Sequence, residues 1–159
     1  MKKLKTMIAL FSVALFASCG TAPNPVEYNN KLMTLMNGNE KNMNAMNEAM
    51  TGGDYTKAEA VRKTWADELG KSIGEVDKLP AIKDDAGLKS AVAEGLKGYK
   101  KIADESYKTL IDLRTKEKGG DTTVQPQIQA TLNTINSSFD AIGEKINKAS
   151  NEFEKKFSK

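Results

Sequence analysis

The C-terminal segment of the chain carries apolar residues at spacings of three and four, and this pattern most strongly limits how the chain can fold. Such spacing places the apolar side chains on one face of an α-helix, whereas a half-buried strand would alternate every second residue. Pro126 is compatible with a helix that starts near Thr122 or Thr123, because proline is tolerated in a first turn. The apolar face consists of Val124, Ile128, Leu132, Ile135, Phe139, Ile142, Ile146, Ala149, Phe153 and Phe157.

Two earlier segments carry the same pattern between residues that start and stop helices. Asn24 followed by Pro25 is typical of a helix start, since asparagine caps the helix and proline suits its first position. This first helix should stop at residues 51–54, Thr-Gly-Gly-Asp, where glycine permits a left-handed turn. A second helix should start at Tyr55 and end at Leu79-Pro80.

A third helix is predicted to start at Asp84 or Asp85 and to close at residues 118–121, Lys-Gly-Gly-Asp. No segment shows the alternation expected of a strand, so the predicted fold class is all-α. Four amphipathic helices joined by short links favour an antiparallel up-down four-helix bundle. Helices 3 and 4 should be longer than helices 1 and 2, at about 35 against about 25 residues, or roughly 50 against 38 Å.

The N-terminal residues indicate an exported chain. Lysines 2, 3 and 5 precede an apolar run from Met7 to Phe16, and the small residues Ala17 and Ser18 lead directly to Cys19. This stretch resembles the lipobox of bacterial lipoproteins. The resemblance implies that residues 1–18 are a signal peptide that is removed, that the Cys19 sulfur and the new N-terminus receive fatty acyl chains such as palmitate, and that these chains anchor the protein in a membrane. The alternative is an ordinary signal peptide cut near Ala17 and Ser18, which would leave a free thiol.

On the lipobox interpretation, residues 19–24 form a lipidated tether and residues 25–159 form the bundle domain. The predicted helix directions place the tether, the Pro80 loop and the C-terminus at one end of the bundle, and the two Gly-Gly-Asp turns at the other. Cys19 would hold the first end at the membrane, so the turns should point away from it.

The charge of the chain does not favour binding to nucleic acid. Residues 1–18 contain three of the 24 basic residues and none of the 21 acidic ones, so the remainder carries equal numbers of both. The basic excess therefore belongs to the predicted signal peptide, and nucleic acid is not an expected partner.

The residue inventory argues against an enzyme. The chain contains no histidine, which excludes catalytic triads, histidine bases and metal sites built on imidazole. Its one thiol, Cys19, is assigned to lipid, and neighbouring acidic residues on a helix do not face a common point. We therefore expect no catalytic residue and no cofactor.

Methionines in the first helix suggest the one alternative function, which is metal binding. Clustered thioethers select Cu(I), and Met43, Met46 and Met50 lie on one helical face, so they are the candidate metal-binding residues. The same positions continue the apolar face of the helix, and methionine readily fills irregular gaps in a core. Core packing is the favoured interpretation, and a Cu(I) or small-ligand carrier is the alternative.

Glycines allow several interpretations. The two Gly-Gly-Asp turns are suited to stopping one helix and capping the next. They would also fit a duplicated helical hairpin or a paired recognition tip. Gly70 and Gly74 lie one turn apart, so they could let two helices approach closely, or they could indicate modest stability.

The whole pattern resembles the family of small helical envelope and surface lipoproteins of diderm bacteria. The resemblance rests on the Cys19 lipobox, the Asn24-Pro25 helix start and the four-helix pattern, and it brings no activity with it. It implies attachment to the outer membrane, with the periplasmic face favoured over the cell surface. The expected function is therefore a non-catalytic, lipid-anchored module that binds a protein partner or has a structural role. The partner and the oligomeric state are left open by the sequence.

Overall fold

The computed structural model describes residues 24–157, and within that range every regular element is helical. The elements are α1 (Pro25–Asn37), α2 (Glu40–Thr51), α3 (Tyr55–Lys78), α4 (Leu88–Lys101), a π-helical turn (Ile102–Tyr107), α5 (Lys108–Lys118), a 3-10 turn (Thr122–Val124) and α6 (Gln125–Phe157). Four helical arms result: α1 with α2, α3, α4 through α5, and the 3-10 turn with α6.

This arrangement confirms the predicted four-helix bundle. The third and fourth arms contain 31 and 36 residues, so they are longer than the first two, as expected. The first arm begins as predicted, because the Asn24 side chain accepts a hydrogen bond from the Val26 amide at 2.8 Å and Pro25 occupies the first helical position.

The first arm is broken in its middle, where the sequence predicted one continuous helix. Helix α1 ends at Asn37 with Gly38 as its C-cap, and α2 begins after Asn39, which is only 2% exposed. The Asn39 amide donates hydrogen bonds to the backbone carbonyls of Leu35 and Met36, at 3.3 and 3.0 Å. The buried Asn39 side chain thus pairs two of the last carbonyls of α1, which have no partner within the helix.

The start of the third arm differs from the prediction of Asp84 or Asp85. Asp84 and Ala86 have positive φ angles of 58° and 53°, and a left-handed backbone cannot belong to an α-helix. The Asp85 side chain instead accepts hydrogen bonds from the backbone amides of Gly87 and Lys89, each at 3.0 Å. Asp85 therefore caps a helix that starts three residues later, at Leu88.

Close packing between helices occurs at glycines other than those the sequence singled out. A Cβ atom added at Gly74 would meet nothing within 4 Å, and one at Gly70 would meet only the Lys100 side chain, at 3.9 Å. Of the two interpretations of Gly70 and Gly74, the one in which they let two helices approach closely is therefore wrong. A close approach occurs instead between α4 and α6, where a Cβ at Gly95 or Gly98 would come within 2.7 Å of an isoleucine methyl group of α6.

The two ends of α3 define two ends of the bundle. Near its C-terminus lies the tether pole, formed by residues 24–28, 79–87 and 153–157, where Tyr28 stacks on Phe153 at a ring separation of 6.1 Å and Lys156 pairs with Asp84. Near its N-terminus lies the turn pole, formed by residues 51–55 and 118–121, which Lys118 joins by a hydrogen bond. The antiparallel direction of all four arms remains a prediction.

Candidate interaction site at the turn pole

Both Gly-Gly-Asp turns stop one helix and cap the next. Gly53 and Gly120 adopt left-handed backbones, with φ angles of 66° and 100°, which glycine tolerates without steric cost. The Asp54 carboxylate accepts a hydrogen bond from the Lys57 amide at 2.9 Å, and the Asp121 carboxylate accepts one from the Thr123 amide at 3.0 Å. The turns therefore do what helix-ending chemistry requires, and their similarity needs no duplicated hairpin to explain it.

The turns are also linked to each other. The Lys118 Nζ atom donates a hydrogen bond of 2.9 Å to the Gly53 carbonyl oxygen and lies 5.6 Å from the centre of the Tyr55 ring. A lysine ammonium over an aromatic face is attracted by the ring quadrupole. One cation from the second turn thus rests on the backbone and the ring of the first.

An open groove of about 830 Å³ runs beside this contact, between the start of α3 and the end of α5. A second groove of about 420 Å³ adjoins it and shares Gly53 and Tyr55 with it. We call the two together the tip groove. Residues that line it include Tyr55, Thr56, Ala60, Thr115 and Lys118 in the first part and Met50, Leu110, Arg114 and Leu132 in the second.

Carboxylates around the tip groove are already engaged. Asp54 caps α3, and Glu59 accepts two hydrogen bonds of 2.7 Å from the Arg62 guanidinium. Glu117 pairs with Arg114 at 2.8 Å. By contrast, Lys118 has no carboxylate within ion-pair distance among residues 24–157. Asp54 likewise has no ion-pair partner among the described residues, and Lys63 pairs with Glu59 at 3.4 Å. The charged side chains that line the groove are thus Lys63, Arg114 and Lys118 against Asp54 and Glu59, a net charge of +1.

Arg62 anchors a cluster beside the groove, and it is only 8% exposed. Besides Glu59, its guanidinium donates to the Ala103 carbonyl at 3.4 Å and lies 3.6 Å from Asp104. Both of these residues belong to the π-helical turn, so the turn supplies a backbone acceptor and a charge to the buried cation. The Arg62 hydrogen bond lowers the pKa of the Glu59 carboxyl from 4.5 to about 2. Glu59 thus stays ionised near neutral pH with both oxygens occupied, which suits a structural role better than proton transfer.

The methionines named as the alternative metal-binding residues lie in or against the core, divided among its clusters. Met46 is fully buried with Ala49, Ala58 and Ile111. Met43 packs at the edge of the principal core, and Met50 packs between the other two clusters and lines the tip groove. This distribution favours the core-packing interpretation. Cys19, the predicted lipidation site, lies outside the described residues.

The described residues offer little other site chemistry. Across residues 24–157, no three His, Cys, Asp or Glu side chains lie together as a metal site would require. In the same range, no helix has the length and hydropathy needed to cross a membrane.

At the tether pole, the Tyr28 hydroxyl donates to Asp85 at 2.7 Å, and burial together with this carboxylate raises the pKa of Tyr28.

Sequence reasoning missed the roles of two residues at or beside the tip groove, Lys118 and Arg62. Arg62 occupies a position on the apolar face of α3, next to Val61, and a charge on that face is the available signal of a buried ion pair. Lys118 directly precedes the second Gly-Gly pair, but only the tertiary structure reveals that it reaches Gly53 and Tyr55.

Comparisons with known proteins add nothing to this description: no family model, curated protein or solved structure matches the chain.

Proposed function

We propose that this chain is a lipid-anchored, non-catalytic module of the bacterial outer membrane that presents its helical bundle to a protein partner. The acyl chains on Cys19 would hold it on the periplasmic face of that membrane. The proposal combines the lipobox resemblance with the missing histidine, the balanced charge of residues 19–159 and the arrangement of the two poles.

The observation that carries the proposal is the position of the tip groove relative to the tether. Asn24 caps α1 at the tether pole, and α3 separates that pole from the turn pole. A helix of 24 residues is about 36 Å long. The chain from Cys19 to Asn24 spans at most about 18 Å. An anchored bundle would therefore keep its tether pole near the lipid and hold the groove several nanometres away, where a partner can reach it.

Lipidation is tested first, by growing cells with an alkyne analogue of palmitate and comparing the natural chain with Cys19→Ser. The natural chain should take up the label and sediment with the outer membrane, and the variant should lose both properties. A labelled Cys19→Ser protein, or an unlabelled natural chain with a free thiol, would contradict the anchor.

The binding role is tested by photo-crosslinking in cells, with the crosslinker placed at exposed positions on each face of the bundle. We expect one reproducible adduct of defined mass from one face. Absence of adducts from every face would contradict a protein-binding function. The non-catalytic part fails if the purified chain turns over a substrate and loses that activity when one acidic residue is replaced.

A further inference from the structure

We propose that the tip groove binds an acidic amphipathic segment of the partner, with Lys118 as the residue that selects for negative charge. This inference rests on the proposed function, because it names the chemical class of the partner and the surface that holds it.

The floor of the groove supplies the apolar part of the interaction. Met50, Tyr55 and Leu132 are half-buried, and each packs against the second or third core cluster while it lines the groove. Side chains that are partly exposed but packed against the core in this way can accept an apolar helix face without movement of the helices of the bundle. Methionine adds tolerance, since its thioether adapts to differently shaped partners.

The rim supplies the charge. Lys118 rests on a neutral carbonyl and an aromatic ring, and the charged side chains that line the tip groove sum to a net charge of +1. The nearby carboxylates of Asp54 and Glu59 are held by a backbone amide and by Arg62. An acidic segment would therefore meet one excess positive charge and the unpaired Lys118, whereas a basic segment would be repelled by them.

Lys118 is placed to change partners. An incoming carboxylate can replace the Gly53 carbonyl as acceptor for the Nζ atom, and a charge-assisted hydrogen bond is stronger than one to a neutral acceptor. The exchange would also uncover the face of the Tyr55 ring for an apolar side chain. One movement of the Lys118 side chain would thus both pair it with the acidic segment and expose the Tyr55 ring in the groove floor.

The test uses two fluorescent helical peptides of about 14 residues, or roughly four turns, with an identical leucine face. One carries glutamate on its polar face and the other carries lysine. Binding to the full chain, purified in detergent, is measured by fluorescence anisotropy. We expect the acidic peptide to bind and the basic peptide not to bind. Lys118→Glu should weaken the acidic peptide about tenfold or more, and Lys118→Gln should weaken it less.

Lys41→Glu is the matched control, because it makes the same charge change at an exposed lysine of α2 away from the groove. It should leave the affinity within about twofold. Equal binding of the two peptides, or equal effects of Lys118→Glu and Lys41→Glu, would overturn the inference.

Failure of this inference is distinguishable from failure of the proposed function. If crosslinked adducts in cells come only from faces other than the tip groove, the bundle still binds a protein but the groove is not the site. If a crosslinker at Thr56 gives the adduct and Lys118→Glu abolishes it while Lys41→Glu does not, the groove is the site in the cell.

Discussion

The close contact between α4 and α6 at Gly98 makes a quantitative prediction. An alanine Cβ at this position would lie 2.7 Å from the Ile142 Cδ1 atom and 3.1 Å from its Cγ1 atom. Both distances are shorter than ordinary carbon–carbon contacts of about 3.5–4.0 Å. Gly98→Ala therefore forces Ile142 to move. Gly74→Ala in α3 is the control, because its Cβ would meet nothing within 4 Å.

The two substitutions should change the free energy of unfolding differently, with only Gly74→Ala stabilising the protein. Alanine is favoured over glycine inside a helix by about 1 kcal/mol, so Gly74→Ala should stabilise the protein by up to that amount. Gly98→Ala gains the same contribution but incurs an overpacking cost of about 1–3 kcal/mol. We expect it to range from neutral to destabilising by about 2 kcal/mol, which separates the two variants by about 1–3 kcal/mol.

A double-mutant cycle with Ile142→Val isolates the contact. Valine lacks Cδ1, the atom closest to the added methyl group, and this substitution alone should cost about 0.5–1.5 kcal/mol. In the Gly98→Ala background the cost should shrink or reverse, with a coupling energy of about 1 kcal/mol. Urea denaturation of the purified variants, followed by circular dichroism, measures all four free energies.

Two results would refute this reasoning. The first is a Gly98→Ala protein that gains as much stability as Gly74→Ala, because α6 would then not lie as close to α4 as the structure places it. The second is a coupling energy of zero, which would mean that the added methyl group does not displace the Ile142 side chain.

Three other properties follow from particular contacts. Tyr28→Phe removes the hydrogen bond to the Asp85 carboxylate and should destabilise the protein by about 1.5–3 kcal/mol in urea denaturation, whereas no change would mean that the bond does not form. Arg62 lowers the pKa of Glu59, so the stabilisation from this ion pair is present above pH 4.5 and is lost as the pH falls towards 2. Because Glu59 is partly exposed, we expect this stabilisation to be about 1–2 kcal/mol. Glu59→Gln should lack that part of the acid loss, and a variant with the unchanged pH profile would disprove the assignment. Replacement of Met43, Met46 and Met50 with leucine should cost less than about 1.5 kcal/mol per site and leave the fold intact. If the natural chain bound Cu(I) tightly and the triple variant did not, the metal-carrier alternative would be restored.

Local chemistry explains where sequence reasoning succeeded. Some signals depend only on residues that are close in sequence. These are the apolar spacing of α6, the Asn24-Pro25 start and the two Gly-Gly-Asp turns. The four-helix class and the greater length of the third and fourth arms follow directly from those boundaries.

Features that depend on distant residues could not be read in the same way. Asp85 looks like a helix cap at its own position, but its carboxylate also binds the Tyr28 hydroxyl, 57 residues earlier, and the left-handed loop around it delays the helix to Leu88. Spacing within α3 suggested Gly70 and Gly74 as contact points. The approach of α6 instead made Gly95 and Gly98 the tight positions.

The sequence by itself thus determined the helical class and most of the boundaries set by caps and turns, because each depends on neighbours along the chain, and it predicts a lipid anchor at Cys19. Only the tertiary structure decided which helices touch, where a buried arginine finds its partners, and that Lys118 crosses to Gly53 and Tyr55 to border a groove. These depend on side chains that packing brings together from opposite parts of the chain, and helical periodicity specifies a face but not the element that will cover it.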